Sequence, residues 1–138
     1  MHYSLLLHYP EQDATTLGED AIRSGQAAFS AYARALQDAG VLVSAEVLQH
    51  STATTTLRKV DGELVIQDGP FADTKEQLGG SIVVDVEDLD AAIEWARQAP
   101  PIDWGGVVEI RPGGATYTVN GGRGHRTDEP AGSARRRG

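Results

Sequence analysis

The stretch GSIVVDVEDLDAAIEWA at residues 80–96 changes its periodicity halfway along. Gly80-Ser81-Ile82-Val83-Val84-Asp85-Val86 is rich in β-branched residues and reads as a strand that enters a core directly. From Leu89 the apolar residues Leu89, Ala92, Ile93 and Ala96 recur at helical spacing, and Asp88 stands where a carboxylate caps the free N–H groups of a first turn. The pattern predicts a helix over residues 89–99, ended by Pro100-Pro101. A last strand is predicted over residues 107–110, stopped by Pro112-Gly113-Gly114. One strand-helix-strand unit is therefore written into this part of the chain.

The N-terminal part repeats the order. Tyr3-Ser4-Leu5-Leu6-Leu7-His8-Tyr9 reads as a strand stopped by Pro10. Over residues 19–39 the residues Ile22, Phe29, Tyr32, Ala33 and Leu36 form one apolar stripe, and Gly40 sits where a helix ends in the left-handed conformation. Residues 41–48 alternate as a strand. Between the two units lies a hairpin predicted from residues 52–60 and 64–67, joined at Asp61-Gly62, where Gly supplies the positive φ of a two-residue turn. Two such units suit one sheet with both helices on the same side, a ferredoxin-like α+β sandwich with an inserted β-hairpin. The other side of the sheet then needs a cover, and no segment remains to supply it. A second copy of the chain is the economical answer, which makes a homodimer the expected partner state.

The 138 residues suit one domain and a tail. No cysteine is present, so disulfides and thiolate chemistry are excluded. No apolar run approaches a membrane span and no secretion signal opens the chain, so a cytoplasmic location and no membrane partner are expected. Residues 1–115 carry 7 Lys and Arg against 18 Asp and Glu, whereas residues 116–138 carry 5 against 2. The acidic part is an unfavourable surface for nucleic acid. Residues 1–115 are expected to be the domain and 116–138 a basic, Gly/Arg-rich tail, with a short edge strand near residues 116–119 and mobile chain over residues 121–138.

The segment Asp68-Gly69-Pro70-Phe71-Ala72-Asp73-Thr74-Lys75-Glu76-Gln77-Leu78-Gly79-Gly80 resembles a signature of the YCII-related proteins, in the branch named for its Asp-Gly-Pro-Phe sequence. The resemblance extends over residues 1–112. It takes in Gly40-Val41-Leu42, Ser51-Thr52-Ala53-Thr54-Thr55, Glu94-Trp95-Ala96 and Val108-Glu109-Ile110-Arg111-Pro112. It implies a dimeric α/β-barrel in which two ferredoxin-like sheets face each other and enclose clefts. It also implies a cleft of the kind in which some YCII-related proteins use a His–Asp pair, and at least one relative acts as a dehalogenating enzyme. The branch is associated by gene neighbourhood with extracytoplasmic-function sigma factors. This chain departs from the catalytic pattern, with Gln26 after Gly25 where the helix His would align.

Two sets of residues are candidates for function. In the Asp-Gly-Pro-Phe segment, Asp68, Phe71, Asp73, Lys75 and Glu76 form a cleft loop or a turn, and turn chemistry explains nearly every residue except Lys75. On the turn reading Phe71 anchors the loop by burying its ring, and Asp73 and Glu76 form a capping box for a short helical turn through Leu78 that Gly79 stops. The second set follows from strand parity. Tyr3, Leu5 and Leu7 share an apolar face suited to the helices. His2, Ser4, Leu6 and His8 share the other face with Ser44, Glu46 and Leu48, with Ser81, Val83 and Asp85, and with Val107, Glu109 and Arg111. A mixed face covered by a partner sheet holds polar groups that need partners or a ligand. His8, Glu46 and Glu109 are the catalytic candidates, because imidazole titrates near neutrality and a carboxylate can orient it. The alternative is that they are rim residues or interface ion pairs with Arg111. The scattered His residues suggest no metal site, and neither Gly113-Gly114 nor Gly121-Gly122 opens a helix that would cradle phosphate, so no cofactor is implied. Three functions follow: a ligand-binding or accessory module, linked through the resemblance to sigma-factor regulation; a lyase, isomerase or dehalogenase acting on an unknown small molecule by acid/base chemistry; or a purely structural interaction protein.

Overall fold

The computed structural model describes residues 1–11, 18–120 and 123–126. The elements are β1 (His2–Pro10), α1 (Glu19–Asp38), β2 (Leu42–Val47), a 3₁₀ turn (Ser51–Ala53), β3 (Thr55–Val60), β4 (Glu63–Asp68), β5 (Glu76–Asp85), α2 (Leu89–Ala96), a second 3₁₀ turn (Pro100–Trp104), β6 (Val107–Pro112), β7 (Tyr117–Asn120) and β8 (Arg123–Arg126). The main sheet is antiparallel in the order β2-β5-β1-β6, the ferredoxin-like arrangement expected from two consecutive strand-helix-strand units. The inserted hairpin β3–β4 is a separate two-stranded sheet. Asp61 at φ 52° and Gly62 at φ 82° form its turn, both in the left-handed region that a two-residue hairpin needs. Among the described residues no helix is long and apolar enough to cross a membrane.

Parity on β1 decides which side carries the core. Tyr3, Leu5 and Leu7 are buried together with Ile82 and Val84 of β5, Tyr32 and Leu36 of α1, and Ala92 and Ala96 of α2. Both helices therefore cover one face. Burying a Leu or Val side chain fully contributes about 1.5–3 kcal/mol, so Leu5, Leu7, Leu36 and Val84 dominate this layer. Gly40 at φ 76° ends the turn after α1, as predicted. The Asp88 side chain accepts a hydrogen bond from Ala91 N at 3.0 Å and caps α2, which ends at Ala96 rather than Ala99. There the N–H groups of Gln98 and Ala99 bond carbonyls three residues back, tightening the chain before Pro100.

Three expectations change. First, Asp73 and Glu76 do not open a helical turn, because β5 already begins at Glu76 and pairs with β1. Ladder bonds to Tyr9 and Pro10 outcompete the local capping signal. Second, Gly79 is not a helix stop but the extra residue of a β-bulge, since the register passes from Leu7 opposite Gly80 to His8 opposite Leu78. The ring of Tyr9 lies where a Gly79 Cβ would stand, and a Cβ on Gly80 would meet Glu46 O at 2.9 Å. The paired glycines thus admit an aromatic ring and a neighbouring strand. Third, the edge strand expected near residues 116–119 pairs with Arg123–Arg126, inside the stretch read as mobile, and not with the main sheet. Residues 121–122 and 127–138 of that tail lie outside the described residues.

Candidate functional site

The register turns the mixed face from a parity argument into rows of neighbours. Glu46, Ser81, Leu6 and Glu109 form one row across the four strands, and Ser44, Val83, Ser4 and Arg111 form the next. At one end of β1, His2 Nδ1 lies 2.9 Å from Thr116 Oγ1, and its Nε2 lies 3.7 Å from Asp85. At the other end, His8 Nε2 contacts Glu109 Oε1 at 2.7 Å. His8 is the more sheltered partner, with 26% of its side chain exposed against 54% for Glu109. Glu46 is not part of this pair. It lies in the row of Glu109 but on the far edge strand, three strand spacings or about 14 Å away. Nor does Arg111 engage Glu109 among the described residues, since the carboxylate is held by His8.

His8 and Glu109 line a cleft of about 980 Å³ between the end of β1, the 3₁₀ turn after β2 and the loop before β5. Its walls include Leu48, Pro70, Phe71, Leu78 and Val107. The bulge at Gly79 shapes this cleft. Strict alternation back from Ile82 would put Leu78 and Glu76 on the helix side, whereas the extra residue shifts them opposite His8 and Pro10, onto the mixed face.

The candidates from the Asp-Gly-Pro-Phe segment separate. Phe71 and Glu76 line the cleft, while Asp68 closes β4 opposite Thr55, and Asp73 and Lys75 are exposed and outside the lining. Phe71 does not bury its ring. It is 76% exposed, and the Arg58 guanidinium of β3 sits 5.3 Å from its centroid. The turn itself is held elsewhere, by Gly69 at φ 98°, by Gly69 N donating to Thr54 O at 2.8 Å and by Thr56 Oγ1 donating to Gly69 O at 2.7 Å. The loop is anchored through its backbone, so the ring is left at the surface.

A second polar cluster lies on the cleft; the loop after the second strand suggests that His50 caps a cleft mouth or, as an exposed loop His, has no role, and Glu11 was not legible in the sequence. The Glu11 side chain, only 14% exposed, accepts from Ser51 N at 2.8 Å and from Ser51 Oγ, and lies 3.5 Å from His50 Nε2. His50 Nδ1 accepts from Thr52 N at 3.2 Å. That bond requires a lone pair on Nδ1, so in the neutral ring the hydrogen is on Nε2, toward Glu11. The only available signal was a carboxylate directly after Pro10 and a His-Ser pair after β2, forty positions apart. Behind these groups Tyr9 Oη donates to Gly79 O at 3.2 Å, and burial, then the negative charge of Glu11, raises the Tyr9 pKa. Among the described residues no three His, Asp or Glu side chains converge as metal ligands. What the cleft does hold is an imidazole, His8, with one ring nitrogen on a carboxylate.

The family model of the YCII-related domain matches residues 1–112. An uncharacterized protein of Rhizobium meliloti is 36% identical over 115 residues, which cover 81% of this chain and 91% of that relative.

Proposed function

The chain belongs to the YCII-related family, and from that premise we propose that it is a homodimeric small-molecule protein that transfers protons in its cleft. His8 is the acid/base and Glu109 the carboxylate that positions it. The observation that carries this reading is the 2.7 Å contact of His8 Nε2 with Glu109 inside a cleft of about 980 Å³. When the carboxylate holds Nε2–H, the neutral ring has its lone pair on Nδ1, which has no protein partner among the described residues. A base set up in this way suits the proton removals of lyase, isomerase and dehalogenase reactions. Support for the dimer comes from the sheet: Leu6 and Val83 are half-buried on a face that carries no helix, next to groups that become stronger partners once water is excluded.

The reading is tested by incubating the protein in D2O with small carbonyl compounds that are neutral, cationic or anionic, and following loss of C–H signals by proton NMR. Wild type should accelerate exchange on some of them, and His8→Gln should not. Equal exchange by both proteins sinks the catalytic role, and tight binding without exchange would make the cleft a binding site only. Light scattering at micromolar concentration should report two chains, and a monomer would remove the dimer.

A further inference from the structure

We propose that the cleft selects a cationic amine, an ammonium group carried on an apolar body; this rests on the reading of the cleft as a small-molecule site. Several lining side chains direct their own hydrogens into the protein. Thr56 Oγ1 donates to Gly69 O and Thr74 Oγ1 to Glu76 O, each at 2.7 Å. Ser51 Oγ donates to Glu11. Gln77 Nε2 donates to both Ala72 O and Thr74 O at 3.1 Å, which uses both amide hydrogens and fixes Oε1 as the free atom. His50 takes the Thr52 N–H on Nδ1 and turns Nε2 to Glu11. Each of these side chains lines the cleft; the three hydroxyls and Gln77 Oε1 can still offer a ligand a lone pair, whereas His50 has none left, its Nδ1 taken by Thr52 N and its Nε2 carrying the ring hydrogen.

Charge acts in the same direction. Glu76 and Glu109 line the cleft and no Lys or Arg does, among the described residues. Arg58 is held over the ring of Phe71 and is not part of the lining. No cation pairs with Glu76 among the described residues, and the partner of Glu109 is His8. Gln49 and Thr54 keep side-chain hydrogens, but both are neutral. An anion entering here loses its water and finds few donors and two carboxylates, whereas an ammonium brings three donors to a wall of acceptors. The apolar side chains Leu48, Pro70, Phe71, Leu78 and Val107 suit the body of such a ligand.

The test uses three molecules of one shape, phenethylamine, phenethyl alcohol and hydrocinnamate, titrated into the full chain by calorimetry at neutral pH and low salt. The amine should bind about tenfold more tightly than the alcohol, the size of a charge-assisted hydrogen bond, and the carboxylate should bind most weakly. Glu76→Gln should lower amine affinity by a similar factor and leave alcohol affinity and the melting temperature unchanged. Hydrocinnamate binding as tightly as the amine, or an amine preference untouched in both Glu76→Gln and Glu109→Gln, overturns the proposal while leaving a small-molecule cleft in place. Failure of all three to bind overturns the proposal together with the reading of the cleft beneath it.

Discussion

On β1 and β5, residues one position apart have opposite surroundings. Leu5, Leu7 and Val84 lie fully buried beneath α1 and α2, while Leu6, Ser81 and His8 on the same strands face a side that no helix covers. The buried face contains hydrocarbon packed on hydrocarbon, where removing a methyl group leaves a void. The other face contains a His–Glu pair, serines, an arginine and two half-buried aliphatics. The contrast teaches that this sheet separates its duties by parity: one set of alternate residues supplies the folding energy, and the intervening set is free to carry polar chemistry.

That separation makes a graded set of expectations. Leu7→Ala should be the most damaging, about 2–5 kcal/mol in chemical denaturation, whereas Leu6→Ala should cost much less; similar losses at both would break the contrast. Gly79→Ala should follow at about 1–3 kcal/mol, because the new methyl collides with the Tyr9 ring and the bulge must shift. Tyr32→Phe should cost about 1 kcal/mol by removing the 2.6 Å bond to Trp95 O. It also carries a pH signature. Burial pushes the Tyr32 pKa up to about 12 from the ordinary 10.0, so the folded state holds its proton where the unfolded state has lost it. Stability from this group is complete below pH 10.0 and falls as pH rises toward about 12, and the fall should be shallower in Tyr32→Phe. Smallest of all, Glu109→Gln should change stability by only about 0.5 kcal/mol or less, since the carboxylate is half exposed. Its effect belongs in the D2O exchange rate; a large stability loss would assign the pair to the scaffold.

The hairpin β3–β4 sharpens the comparison from another direction. Its turn was readable from Asp61-Gly62 alone, because the φ requirement is local. Its surroundings were not. Leu57 and Ile66 face each other across the strands at 57% and 63% exposure, although their apolar character suggests burial. A two-stranded ribbon has only one partner strand and no layer over it, so apolar character alone does not bury these side chains.

Legibility of the candidate site followed the same division. His8 and Glu109 were placed on one face by counting in twos, and Glu46 was placed there by the same count, yet only the first two meet. Parity gives the face and says nothing of which strands are adjacent. His50 was readable as a loop residue placed to cap the mouth of a cleft, but its meeting with Glu11 was out of reach, because loop positions about forty residues apart have no period to read. Phe71 misled, since an aromatic ring in a turn motif normally signals an anchor, and here backbone bonds from Thr54 and Thr56 perform that role.

The sequence by itself determined the element order, the cap at Asp88, the turns at Gly40 and Asp61-Gly62, and the apolar face of β1. Each depends on a few neighbouring residues and on backbone geometry that does not change with context. Only the tertiary structure decided the registers between the strands, the bulge at Gly79 that carries Glu76 and Leu78 to the mixed face, and the meeting of His8 with Glu109. Those depend on which distant segments pack together, and the energy that selects them comes from the summed burial of many side chains rather than from any local motif.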